Sequence, residues 1–163
     1  MNNAVILGAT SGMGYDLAIS LLEKGCRLGL AGRNEKVLQD IQKKYGPEKV
    51  VIQRIDVTDE DSPQLLEDLI NRLGGMECYM HFSGIGSQNP DLDPQIEDHV
   101  LQTNAIGFTR MVDFAYNWFK NSGQFNQRHK GHIVVVTSVA ATKGMGVASA
   151  YSSTKVHGLL LPE

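Results

Sequence analysis

Near the end of this 163-residue chain, in "AYSSTKVHG", Tyr151 stands four positions before Lys155. The spacing predicts a helix beginning near Ser149, on which residues four apart share a face. A free phenol titrates near about 10, too high to exchange protons readily at neutral pH. An ammonium beside it stabilises the phenolate and lowers that value. A tyrosine tuned in this way can protonate a carbonyl oxygen, or take the proton in reverse. A half-buried aromatic on a surface helix would look the same, so the companions decide. Ser138 closes "GHIVVVTS" (131–138), a strongly β-like run. In a doubly wound sheet the carboxyl ends of strands line the ligand crevice, where a serine hydroxyl can hydrogen-bond a reacting carbonyl. Asn104, in "QTNAIGF", precedes that strand on a long helical segment. Its amide is expected to hold a water near Lys155 and link the lysine to solvent. Four polar residues at these spacings have no obvious packing role.

The elements that must position them alternate. "NAVILG" (3–8) is a short apolar run closed by a glycine turn and reads as a buried strand. "GYDLAISLLEKG" (14–25) has helical period, with Leu17, Leu21 and Leu22 on one face and Gly25 at its end. "CRLGLAG" (26–32) is a second strand, and "NEKVLQDIQKKYG" (34–46) a helix with Asn34 as N-cap and Gly46 past its end. "KVVIQRID" (49–56) is a third strand. "SPQLLEDLINRLGG" (62–75) is a helix with Ser62 as N-cap and Pro63 at its first position. "ECYMHFSG" (77–84) is a fourth strand, and 93–123 one long helix or two short ones. Strands alternating with helices imply βαβ units, hence an α/β fold with a doubly wound parallel sheet of five visible strands. Residues 1–163 read as a single dinucleotide-binding domain, with no internal repeat or linker.

Between the first strand and first helix lies "GATSGMG", with glycines at Gly8, Gly12 and Gly14. A strand-to-helix turn free of side-chain bulk lets backbone N–H groups and the helix N-terminus face a pyrophosphate. Gly8 suits the tight turn, Gly12 the close approach and Gly14 the helix–strand packing. A purely structural glycine turn is the other reading, and the position at the first βα junction favours the dinucleotide. The second strand ends in Gly32 and Arg33, with no carboxylate before Glu35. An acid at that place favours NAD through the ribose hydroxyls, whereas an arginine suits the 2′-phosphate of NADP. NADP(H) is therefore expected over NAD(H), although Arg33 would also serve as a solvated charge at a helix start.

Bulk composition excludes several classes. The formal net charge is −3, the chain is 42% hydrophobic and 20% charged, and no long Lys/Arg run stands out. Nucleic acid and anionic membranes are not expected as partners. No apolar stretch is long enough for a membrane span, and "MNNAVILGATSG" lacks the marks of a signal peptide. Cys26 and Cys78 are far apart and read as buried free thiols, consistent with a reducing, cytoplasmic setting. His81, His99, His129, His132 and His157 form no cluster with metal-ligand spacing, so no metal is expected.

Taken jointly, GATSGMG, "IDV" (55–57), "TNAIG" (103–107), "VVVTS" (134–138) and YSSTK (151–155) resemble the short-chain dehydrogenase/reductase family in order and approximate spacing. The resemblance covers essentially the whole chain. It implies a Rossmann fold, an NAD(P)-dependent oxidoreductase, and a catalytic tetrad of Asn104, Ser138, Tyr151 and Lys155. The cofactor contacts it implies are Gly8, Thr10, Ser11, Gly12, Met13, Gly14, Arg33, Asp56, Val57, Ser83, Gly84, Tyr151 and Lys155. Of these, Lys155 would hold the nicotinamide ribose, and Asp56 the adenine with Val57 beside it. Two positions depart from the family pattern. "HFSG" (81–84) stands where the family usually has Asn-Asn-Ala-Gly, so His81 is expected to supply a donor there. Leu7 precedes the loop where the family often has Thr.

Family members run on past the tyrosine helix through two further strands and a segment that closes over substrate. The present sequence stops at Glu163. Three readings follow: an oxidoreductase acting on a small carbonyl or secondary alcohol, a nucleotide-binding module with little or no turnover, and a scaffold that keeps only the fold. The order 3-2-1-4-5 would leave the fifth strand as an apolar edge, which invites pairing with another chain. A homo-oligomer, dimer or tetramer, is expected. It would pack through the helices around 104–120 and 151–160, as the resemblance implies.

Overall fold

A computed structural model describes residues 3–123 and 131–157. Five strands, β1 (Asn3–Leu7), β2 (Arg27–Gly32), β3 (Val50–Arg54), β4 (Cys78–His81) and β5 (His132–Val135), form one parallel sheet in the order β3-β2-β1-β4-β5. The helices are α1 (Gly12–Glu23), α2 (Glu35–Tyr45), α3 (Ser62–Leu73), α4 (Pro94–Leu101), α5 (Phe108–Asn121) and α6 (Ser149–His157). This is the doubly wound α/β architecture that the alternation of elements predicts.

The two-residue period of β1 divides the core. Ala4 and Ile6 join Ala18, Leu22, Leu28, Leu30, Leu38 and Ile41 under α1 and α2. Val5 and Leu7 join Leu66, Leu69, Ile70, Tyr79 and Met111 under α3 and α5. Strands buried on both faces read as continuous apolar runs, which is why β1, β2 and β4 were legible. β5 differs. Among the described residues it pairs only with β4, and while Ile133 and Val135 pack on the α3/α5 side, Val134 on the other face is 42% exposed.

Several local readings need correction. The buried stripe of α1 is Gly14, Ala18 and Leu22. Leu17 and Leu21 only flank it, because Gly14 lets the first turn of the helix close onto the Gly8 turn. The N-cap of α3 is Asp61 rather than Ser62; Ser62 is a buried helical residue whose hydroxyl has no partner among the described residues. Cys78 is buried, and burial pushes its thiol up to about 11, but Cys26 precedes β2 and is only half-buried. Asn34 caps α2 as expected, its side chain accepting from the Val37 N–H at 3.3 Å. The segment 93–123 is neither one regular helix nor two. α4 and α5 are joined without a break by a π-helical stretch, Gln102–Gly107. Such widened turns often mark functional positions, and this one carries Asn104.

Candidate active site

The first βα turn is built by close backbone approach. Gly8 and Gly12 hold positive φ angles of 94° and 54°, a region that favours glycine. A Cβ at Gly8 would lie 2.6 Å from the Ser83 nitrogen, and one at Gly14 would run into the Gly8 carbonyl. Gly12 faces open space. No side chain caps α1: Ser11 makes no capping hydrogen bond, and the first turn holds no acid. Its leading N–H groups therefore face outward beside a bare glycine, which fits an anionic group such as a pyrophosphate. Ser11, at the N-cap, and Met13, in the first turn of α1, are exposed, Met13 to 64%. Thr10 turns inward instead, toward the end of β2.

At the end of β2, Gly32 is buried, and a Cβ there would sit 2.8 Å from the Thr10 Cγ2. Arg33 follows on the surface. Asp56 stands at the neighbouring strand end, accepting from the Thr58 N–H at 3.1 Å and the Thr58 hydroxyl at 2.8 Å. Partial burial pushes its carboxyl up, but the Thr58 hydrogen bonds and the charges of Arg33 and Arg54 outweigh that and hold it below the usual carboxylate range. Val57 is buried against the π-helical turn. A Cβ at Gly107 would lie 2.7 Å from the Val57 Cγ2, so "IDV" and "TNAIG" meet in space.

From the glycine loop a strip of β4-end backbone runs to the tyrosine helix. Gly84 lies beside two of the expected catalytic groups: a Cβ there would be 3.3 Å from Asn104 Oδ1 and 3.4 Å from Lys155 Nζ. Gly86 lies against Tyr151, 3.3 Å from its ring by the same measure. Lys155 Nζ is 5.5 Å from the centroid of the Tyr151 ring. Nζ also donates to the Val136 carbonyl at 3.3 Å, and the Thr137 hydroxyl donates to the Lys155 carbonyl at 2.9 Å. The end of β5 is thereby tied to α6. Ser138 comes next, its Oγ accepting from the Ala140 N–H at 3.2 Å. The serine thus caps the short turn Val139–Ala141, which packs on α6.

The Asn104 amide is largely committed. It donates to the Ile85 carbonyl at 2.7 Å and accepts from the Ile85 N–H at 2.8 Å, a reciprocal pair that pins the β4-end loop. A second, longer contact of 3.4 Å reaches the Thr154 hydroxyl. What remains for a water is a lone pair on Oδ1, not the whole amide.

Sequence reasoning missed the residues that hold this arrangement. Glu97, on α4, accepts from the Ser149 hydroxyl at 2.7 Å and the Ala150 N–H at 3.1 Å, and so caps α6 two residues before Tyr151. Its other oxygen accepts from buried Asn89 at 2.8 Å. The Ser149 and Asn89 hydrogen bonds hold the Glu97 carboxyl below its usual range. No local signal in the sequence marks Glu97 as a cap for a helix 52 residues later. His81 is buried at the end of β4, its Nδ1 2.8 Å from the Tyr79 hydroxyl. Burial, and then the charge of Lys155, push the imidazole down to about 3, against a weaker opposite pull from the Ser83 backbone.

A groove of about 420 Å³ between α1 and α2 is bordered by Thr10 and Ser11 and by Lys44. Tyr15, Val37 and Asp40 also line it. Among the described residues no cluster of His, Cys, Asp and Glu could hold a metal ion, and no helix is long and apolar enough to cross a membrane.

The family model described as short chain dehydrogenase matches residues 2–160. The chain is 28% identical over 159 residues to an uncharacterized oxidoreductase of Mycobacterium tuberculosis, covering 93% of this chain and 60% of the relative. It is 30% identical over 160 residues to 11-beta-hydroxysteroid dehydrogenase A of Sesamum indicum, covering 93% of this chain and 43% of that one. The crystal structure of a short chain dehydrogenase from Bacillus anthracis superposes with a TM-score of 0.86 at 19% identity, over 97% of this chain and 66% of that one. The chain therefore spans 60% of the first of these relatives and 43% of the second.

Proposed function

The chain belongs to the short-chain dehydrogenase family, and on that premise we propose that it transfers hydride between NADP(H) and a small carbonyl or secondary alcohol, with Tyr151 as general acid–base. One observation carries the reading. The strip Ser83–Gly86 runs unbroken from the glycine loop to Asn104, Lys155 and Tyr151, an adjacency that supports a nucleotide bound next to an acid–base pair. The cofactor, when bound, supplies or receives the hydride.

The remaining work falls to the chain's own residues. Gly8, Gly12 and Gly14 keep the loop close and bare, and the uncapped start of α1, with Thr10, Ser11 and Met13 on its approach, meets the pyrophosphate. Asp56 and Val57 border the adenine side, and Ser83 and Gly84 the centre. Ser138 orients the substrate oxygen. Tyr151 gives that oxygen its proton in reduction and takes it back in oxidation. Lys155, tied down through Val136 and Thr137, keeps a positive charge beside the phenol and holds the nicotinamide ribose.

The preference for NADP(H) is supported by Gly32 and Arg33. Thr10 occupies the space that a side chain at position 32 would need, so no carboxylate sits there to repel a 2′-phosphate. Arg33 is the adjacent exposed cation that can pair with one. The test of the function is NADPH oxidation with a panel of small carbonyl compounds, with Tyr151→Phe as control.

Val134, 42% exposed on the outer face of β5, supports self-association as a dimer or tetramer. Sedimentation at micromolar concentration is expected to show a dimer or larger species. A single monomeric boundary contradicts it.

A further inference from the structure

His81 is only 2% exposed, and the acid–base reading gives it no task. Its tautomer follows from its neighbour. The Tyr79 hydroxyl is wholly buried, and Nδ1 of His81 is the partner in reach, at 2.8 Å. If Nδ1 carried the hydrogen, the phenol hydrogen would be buried without an acceptor, which is unfavourable. The phenol therefore donates to Nδ1, and the hydrogen of the neutral ring sits on Nε2. That Nε2 is buried and makes no hydrogen bond of ordinary geometry among the described residues, although the Ser83 backbone lies near. The edge-on Phe108 ring, 5.0 Å away between centroids, fixes the imidazole's orientation.

Beside the ring lies a cavity of about 10 Å³, bordered by His81, Asn104, Val136, Thr154 and Lys155. That is about the room one water molecule needs, and its wall, which Ser83 and Phe108 complete, mixes polar and apolar groups. The groups also match a water's hydrogen bonds in number. His81 Nε2–H and a Lys155 ammonium hydrogen can donate to its two lone pairs. The free lone pair of Asn104 Oδ1 and the Thr154 hydroxyl oxygen, whose own hydrogen goes to the Tyr151 carbonyl at 2.9 Å, can take its two hydrogens.

We propose that His81 is a positioning residue: its Nε2–H anchors a single buried water that braces the Lys155 ammonium against Asn104 and Thr154. The catalytic part of this rests on the acid–base reading of Tyr151 and Lys155; the water site itself does not. A histidine at the end of β4 thus does two things, anchoring Tyr79 through Nδ1 and the site's floor through Nε2.

Side-chain NMR of the ¹⁵N-histidine-labelled full chain at pH 7 tests the site without requiring turnover. The expected result is an Nε2–H tautomer for His81 with a cross-peak from that hydrogen to a long-lived water. An Nδ1–H tautomer, or an Nε2–H with no water contact and a direct bond to the Ser83 carbonyl, overturns the proposal. In the turnover arm, His81→Phe is expected to lower kcat about tenfold, the upper end of what one lost neutral hydrogen bond contributes, with KM for NADPH unchanged. His81→Gln, which restores an N–H donor, is expected to recover most of the loss. A folded, NADPH-binding His81→Phe variant with undiminished kcat overturns the positioning role. A water contact in a chain that turns over no carbonyl compound supports the water site and removes the oxidoreductase reading instead.

Discussion

Tyr151→Phe is expected to lower kcat for carbonyl reduction about 10²–10⁴-fold, the usual contribution of a positioned general acid. NADPH affinity should stay within about twofold. The substitution removes one oxygen and keeps the ring, which is what packs on Gly86 and lies near Lys155. α6 retains its Glu97 cap and its ties to Thr137, so folding should not change. Steady-state kinetics together with a thermal melt separate the two effects. An unaltered kcat would mean that the proton comes from elsewhere. Absent turnover in both chains, with NADPH still bound, would favour a nucleotide-binding module.

Acid is expected to unfold this chain earlier than its carboxylates would require, because of His81. The imidazole titrates at about 3 in the fold and near about 6.5 in an unfolded chain. Folding therefore holds it neutral where the unfolded chain binds a proton. The stabilisation is complete above the unfolded value and is lost as pH falls from about 6.5 toward 3. At pH 5 the loss amounts to about 2 kcal/mol. The depressed carboxyls of Asp56 and Glu97 act below their ordinary range of about 4, outside most of this window. Denaturant unfolding at pH 7 and pH 5 should show the drop in the native chain and a smaller one in His81→Gln. Equal drops in both would place the proton uptake on another group.

Local patterns announced most of the fold. Apolar runs buried on both faces gave β1, β2 and β4, and glycines at the ends of α2 and α3 gave their limits. The expected strand order is the order found. What stayed hidden depends on contacts between distant residues. The π-helical turn at Asn104 has no periodicity of its own. It is held by Gly107 packing on Val57 and by the Asn104–Ile85 pair, which join residues about 50 and 19 positions apart. The glycine loop and the tyrosine helix were legible because their residue types are tied to a shape or a chemistry. Glu97 was not, since a glutamate on an exposed stretch of helix reads as a solvated charge until the start of α6 is seen above it. Asn104 shows the same limit. Its residue type suggested an amide free to hold water, whereas both ends of that amide engage Ile85.

The central claim is that the first five strands carry an NADP(H) site joined to Tyr151. It is tested most directly by calorimetric titration of this chain with NADPH and, separately, with NADH. The predicted result is saturable binding of both, tighter for NADPH. Arg33→Ala should weaken NADPH about tenfold or more, as expected for a lost charge-assisted pair, and leave NADH unchanged. Binding of neither nucleotide would contradict the claim and reduce the glycine loop to a structural turn.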